Sequence, residues 1–145
     1  MNIFQLLNNP EDISSALKEF HECFPGLLDR VESIEKYAMK LSESANVVVM
    51  KEDDENVGFC CYYANDEETF TGYISLIGIK SAYQRTGKGK ILLNFTSNKC
   101  REAGMKKLKL EVDADNENAI TFYTRNGFQT ISKAREESYY MEIAL

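Results

Sequence analysis

Gln84-Arg85-Thr86-Gly87-Lys88-Gly89-Lys90 follows an apolar, strand-like run, Tyr73 to Ile79, and leads into a helix-like run, Ile91 to Ala103. A strand, a turn with two glycines one residue apart, and a helix start form an arrangement that holds phosphates. Glycine lets the backbone approach a ligand closely and adopt positive φ. The unpaired amides of the first helical turn, at the positive end of the helix dipole, then face an anion. Arg85, Lys88 and Lys90 add full charges. A dinucleotide fingerprint would need a third glycine where Leu92 stands, so that reading is poor. A nucleoside-triphosphate loop would need four residues between its glycines and Ser or Thr after the lysine. Here one residue separates them and Ile91 follows Lys90. An ordinary glycine turn before a helix stays open on these seven residues alone.

Charge is unevenly spread around this loop. The 145 residues carry a net charge of -6, yet Lys80 to Lys109 holds nine Lys/Arg against one acid, Glu102, or +8. The remainder holds eight Lys/Arg and 22 acids, or -14. A basic island in an acidic chain suits one compact polyanion and argues against broad nucleic-acid binding. Lys99, Arg101, Lys106 and Lys107 lie far from the glycines and read as a solvated face. Arg85, Lys88 and Lys90 read as ligand contacts.

The length suits one domain, residues 1–145, able to bury roughly 68–70% of its unfolded surface. No apolar run approaches 18 residues, so no membrane span is expected. Asn2 to Glu11 lacks the basic start and long apolar stretch of a secretory leader. Cys23, Cys60, Cys61 and Cys100 form no C-x-x-C pair, and the lone His21 has no metal-spaced partner. No metal site is expected, and free thiols in a reducing cytoplasm are. Cys60 and Cys61, adjacent on a strand, should point to opposite faces.

Outward from the loop, Asn2 to Leu7 reads as a first strand and Pro10 to Phe24 as a helix, with Ile13, Leu17, Phe20 and Phe24 on one face. Asp29 to Glu32 has capping-box spacing ahead of a second helix along Val31, Ile34, Ala38, Leu41 and Ala45. Val47–Lys51 and Val57–Ala64 read as strands joined by an acidic turn, and a polar loop, Asn65 to Thr71, precedes the strand from Tyr73. The helix after the glycines should end at Gly104. A strand from Leu108 to Val112, a helix from Asn116 to Asn126, and strands Phe128–Ile131 and Tyr139–Ile143 complete the chain. The order is β-α-α-β-β-β-α-β-α-β-β, a mixed α/β layer fold.

Two signatures in this order resemble the GNAT acetyltransferase superfamily. Gln84, Gly87 and Gly89 match its Gln/Arg-x-x-Gly-x-Gly/Ala pyrophosphate loop. Leu108-Lys109-Leu110-Glu111-Val112, Asn116, Ala119-Ile120, Phe122-Tyr123 and Gly127-Phe128 match its second conserved stretch. The resemblance covers residues 73–128, and the first half matches in element order only. It implies a central, mostly antiparallel mixed sheet of about seven strands flanked by about four helices. It also implies acetyl-CoA as co-substrate, with no metal.

Several roles follow from that resemblance. The fourth and fifth strands would splay, and pantetheine would enter the gap and bond the backbone of Ile77, Gly78 and Ile79 like an added strand. Amides of Arg85, Thr86, Gly87, Lys88, Gly89 and Lys90 would hold the pyrophosphate. Asn116 would contact the cofactor arm or cap its own helix. The amide of Ile79 would face the oxyanion. Tyr123 would return a proton to the leaving thiolate. The fourth strand carries no acid, which leaves Glu111 as general base or as a structural residue. Ribosomal-alanine-type N-terminal acetyltransferases carry a glutamate at this place, twelve residues before the tyrosine, as here.

The implied activity is direct transfer of acetyl from acetyl-CoA to a primary amine in a ternary complex. Peptide N-terminus, amino sugar and other small amines stay open as acceptors, and so does a homodimer. The acceptor pocket is expected from Phe24–Leu41, the Asn65–Thr71 loop and Arg135–Tyr140, with an acidic rim that attracts a cationic amine. A non-catalytic acyl-CoA-binding domain is the alternative.

Overall fold

A computed structural model describes residues 2–145. Seven strands form one sheet: β1 (Asn2–Leu7), β2 (Asn46–Glu52), β3 (Glu55–Tyr63), β4 (Thr71–Ile79), β5 (Lys107–Asp113), β6 (Gln129–Arg135) and β7 (Ser138–Ala144). Their spatial order is β1-β2-β3-β4-β5-β7-β6. Every neighbouring pair is antiparallel except β4–β5, which is parallel. The helices are α1 (Pro10–Glu19), α2 (Leu27–Arg30), α3 (Ile34–Ser44), α4 (Lys88–Glu102) and α5 (Glu117–Arg125). Four are long, as expected, and α2 is a single extra turn.

Period-2 alternation sorts the strand residues onto two cores, one on each face of the sheet. Val48, Met50, Cys60, Leu108 and Leu110 join Leu92, Leu93 and Tyr123 of α4 and α5 on one face. Val47, Val49, Phe59 and Cys61 meet Ile13, Leu17, Ala38 and Leu41 of α1 and α3 on the other. Cys60 and Cys61 therefore do point to opposite faces, each fully buried. Burial pushes the thiols of Cys61 and Cys100 up to about 11, and that of Cys60 higher still. Cys23 alone is half-exposed. A thiol titration of the native protein is therefore expected to count one reactive cysteine, with the other three appearing only on unfolding. Two or more fast thiols in folded protein would contradict this packing.

Two element boundaries differ from the sequence expectation. The first helix stops at Glu19, and a single 3-10 turn spans His21–Cys23. Proline at 25 disfavours helical backbone at Phe24, which is non-helical (φ -127, ψ 67). The early stop brings both Phe20 and Phe24 onto Phe59, with ring centroids 5.7 and 5.6 Å away. The second long helix is capped by Ser33, whose hydroxyl accepts from the Lys36 amide at 3.0 Å, and not by Asp29. Val31 is extended and only half-buried, so the helical stripe begins at Ile34.

Between β4 and β5 the sheet opens. Their parallel pairing runs from Thr71↔Lys107 to Ile74↔Leu110 and stops there. Both strands continue, β4 to Ile79 and β5 to Asp113, each still paired on its far side. On β4 the register against β3 slips at Ser75: Cys61 pairs with Leu76 and Tyr62 with Ile74. One extra residue bends a strand and increases its twist, which turns the end of β4 away from β5. Ile77, Gly78 and Ile79 lie mid-sheet yet are only partly buried.

Candidate active site

The wedge leaves one edge of β4 without ladder partners beyond Ile74. Unpaired strand amides and carbonyls are a template for an extended, amide-bearing ligand. At the open end of the wedge the chain passes through residues 80–87 into α4. Gly87 has φ 83 and Arg85 has φ 64, so the backbone turns sharply just before the first helical turn. Gln84 braces this loop, its Nε2 donating to the Ile79 carbonyl at 3.0 Å. Thr86 Oγ1 donates to the Tyr83 carbonyl at 2.6 Å. The amides of Lys88, Gly89 and Lys90 then open α4 with no intrahelical acceptor.

Two glycines admit close packing around the wedge. A Cβ on Gly89 would lie 3.3 Å from the Phe122 ring of α5, so α4 and α5 meet closely at the helix start. A Cβ on Gly78 would lie 2.6 Å from Cys23 Cβ and 3.3 Å from the Phe24 ring. The turn after α1 therefore lies directly on β4 at the wedge.

The sequence-predicted loop charges divide. Arg85 and Lys90 are exposed, with no ion pair among the described residues. Lys88, expected as a ligand contact, is paired within the fold. Its ammonium lies 2.7 Å from Glu52 Oε2 and is mostly buried. Glu52 ends β2, on the side of β4 away from the wedge.

Tyr123, on α5, is 9% exposed and packs edge-on to Phe122 and Phe128. Burial pushes its phenol well above the usual range, so it stays protonated at neutral pH. Asn116 caps α5, its Oδ1 accepting from the Ala119 amide at 3.2 Å. Of its two expected jobs the structure displays the cap.

Glu111 sits on β5 with its side chain on the face opposite Tyr123. Ser138 Oγ donates to Glu111 Oε2 at 2.6 Å and Arg135 Nε donates to the same oxygen at 2.8 Å. Burial raises its pKa, but these two hydrogen bonds and the Arg135 charge outweigh it, and the carboxyl ends below its ordinary value. Its ionised form is therefore favoured at neutral pH. The contribution of this link is present above the ordinary carboxylate pKa and is lost as pH falls through the lowered one. Arg135 is largely exposed, so the pair is screened.

Sequence reasoning missed the surroundings of Glu111. Tyr140 pairs with it across β5–β7, and Tyr73 pairs with Lys109 across β4–β5. Residues 109 and 111 share a strand face, so Tyr73, Lys109, Glu111 and Tyr140 lie together. Lys109 Nζ stands 4.0 Å from the Tyr140 ring centroid. Burial, then the Glu111 charge, pushes the Tyr73 phenol up to about 12. The signal was present: Lys109 and Glu111 alternate with Leu108, Leu110 and Val112, so their side chains must leave the apolar face together.

The Asn65–Thr71 loop lies away from the glycine loop. It precedes β4 and its Phe70 carbonyl accepts from the Lys106 amide at 2.7 Å. That places it at the opposite end of β4 from the glycines, roughly 26 Å away at strand rise. Asp66 turns inward on Thr69, and Glu32 and Glu35 pair with Lys36 and Lys18. Three acids of the expected rim are thus taken up by local partners. A cavity of about 440 Å³ does form along Phe24–Asp29, floored by Leu17, Phe24 and Ile34.

The model of the acetyltransferase (GNAT) family matches residues 13–128. The chain belongs to the GNAT acetyltransferase family. N-alpha-acetyltransferase 50 of Danio rerio is 33% identical over 85 residues, 58% of this chain and 49% of that protein, so the match spans about half of the relative. The ribosomal-protein-S18-alanine N-acetyltransferase of Escherichia coli superposes with a TM-score of 0.79 at 20% identity, covering 99% of this chain and 94% of that one. The PaiA N-acetyltransferase of Thermoplasma acidophilum, solved with coenzyme A, gives 0.74 at 17% identity, covering 99% of both chains. At these identities the structures share the fold. Among the described residues no His/Cys/Asp/Glu group is arranged for a metal, and no helix is long and apolar enough to cross a membrane.

Proposed function

We propose that the protein transfers an acetyl group from acetyl-CoA to a primary amine by direct attack within a ternary complex. The observation that carries this reading is the wedge: an unpaired β4 edge ends in a glycine loop, with Tyr123 on one face and Glu111 on the other. In this reading the diphosphate rests on the amides of residues 85–90. The pantetheine amides bond the backbone of Ile77, Gly78 and Ile79, and the thioester carbonyl meets the Ile79 amide. The amine attacks the carbonyl carbon, the C–S bond breaks, and Tyr123 gives its phenolic proton to the leaving sulfur. Asn116, held as a cap, leaves its amide nitrogen for the cofactor arm.

The low pKa of Glu111 makes it a weak base. We assign it to orienting the amine, or a water that carries the proton away, through Oε1, the oxygen that Ser138 and Arg135 leave unbonded. An α-amino group ionises near 7.7–8.0 and a lysine amine near 10.4, so a site with a weak base favours the former. A peptide N-terminus is therefore the acceptor we favour. The likeness to N-alpha-acetyltransferase 50 supports that choice.

A thiol-release assay with acetyl-CoA across peptides, amino sugars and polyamines tests the reading. Release that rises with peptide concentration is expected. Coenzyme A binding with no amine-dependent release would make the protein a non-catalytic acyl-CoA-binding domain. Glu111→Gln is expected to lower kcat/KM about tenfold or more while the rising limb of the pH–rate profile, set by the amine, stays in place. A limb near neutrality that disappears in Glu111→Gln would show the carboxyl titrating there, against the clamp of Ser138 and Arg135.

A further inference from the structure

The glycine loop is tied to the β2–β3 hairpin at several points. Lys88 Nζ lies 2.7 Å from Glu52 Oε2, with 13% of the lysine side chain exposed. Tyr83 donates its hydroxyl to Glu55 Oε2 at 3.1 Å. The Lys80 amide donates to the Val57 carbonyl at 3.0 Å. All three ties pull toward β2 and β3, away from the wedge. The mostly buried lysine beside an anion loop is thereby spent on a carboxylate. An acid so close to a diphosphate site would repel the ligand if its charge were not matched, and Lys88 matches it.

We propose that Glu52, acting through Lys88, is a positioning residue for the cofactor diphosphate. The pair anchors the first turn of α4, so that main-chain amides meet the anion and Arg85 and Lys90 supply its charged contacts. Lys88 contributes its amide, and its ammonium is a strut. This rests on the acyl-CoA reading above.

The test compares Glu52→Gln, Lys88→Met and the double variant in calorimetric binding of acetyl-CoA and of S-acetyl-pantetheine, which lacks the diphosphate. Glu52→Gln is expected to weaken acetyl-CoA binding about fivefold, Lys88→Met by a similar factor, and the double variant by no more than either, as for two members of one interaction. S-acetyl-pantetheine affinity should not change. Tighter acetyl-CoA binding by Glu52→Gln would overturn the proposal, because it would mean that Glu52 withholds Lys88 from the phosphates. So would wild-type affinity in Glu52→Gln, a loss in Lys88→Met far beyond that in Glu52→Gln, or equal losses for both thioesters. Wild-type protein that binds neither thioester would remove the acyl-CoA reading itself.

Discussion

Tyr123→Phe is expected to lower kcat by about 10²-fold or more and to leave acetyl-CoA affinity nearly unchanged. The ring stays buried against Phe122 and Phe128 in the variant, so packing is preserved and only the hydroxyl is lost. Burial holds that hydroxyl protonated well above the usual phenol range, so the residue carries its proton when the C–S bond opens. Single-turnover kinetics with a good acceptor would show the loss in the chemical step. A variant with unchanged kcat would take Tyr123 out of the reaction and leave it a core residue.

The second large effect is expected at Gly89. A valine there brings its Cβ to 3.3 Å from the Phe122 ring and adds two methyl groups against the same wall. Either α5 gives way or the start of α4 moves outward, and each shifts the amides that face the diphosphate. Overpacking of this kind destabilises by about 1–3 kcal/mol. Acetyl-CoA binding should weaken by more than about tenfold, since several amides are displaced together. Gly87→Ala is the companion: its Cβ meets nothing within 4 Å, but φ 83 strains any side chain. It should lower the melting temperature modestly and weaken binding less. Wild-type affinity in Gly89→Val would reduce the loop to an ordinary turn.

Much of this was legible in the sequence because the relevant constraints are local. The unbroken apolar run Val47–Met50 specifies a strand buried on both faces, and the alternation of Leu108, Leu110 and Val112 with Lys109 and Glu111 one buried on a single face, and the structure has both. Gly87 and Gly89 mark the loop because the backbone there needs positive φ at one position and close approach at the other. What was not legible depends on contacts between distant segments. Lys88 reads as an unpaired cation until the sheet order places Glu52 beside it. The Asn65–Thr71 loop looks available to an acceptor until the direction of β4 carries it to the wrong end. Asp29 and Ser33 are comparable caps in isolation, and the burial of Ile34 rather than Val31 chooses between them. Glu111 was visible as an acid on a strand. Its low pKa was not, since Ser138 and Arg135 come from a hairpin 24 or more residues away.

The most direct test of the cofactor geometry is an amide chemical-shift titration of the ¹⁵N-labelled protein with coenzyme A. The account predicts that the largest shifts fall on residues 77–79 and 85–90, one group on the unpaired edge of β4 and the other at the start of α4. Shifts confined to other segments, or no shifts at millimolar coenzyme A, would contradict it.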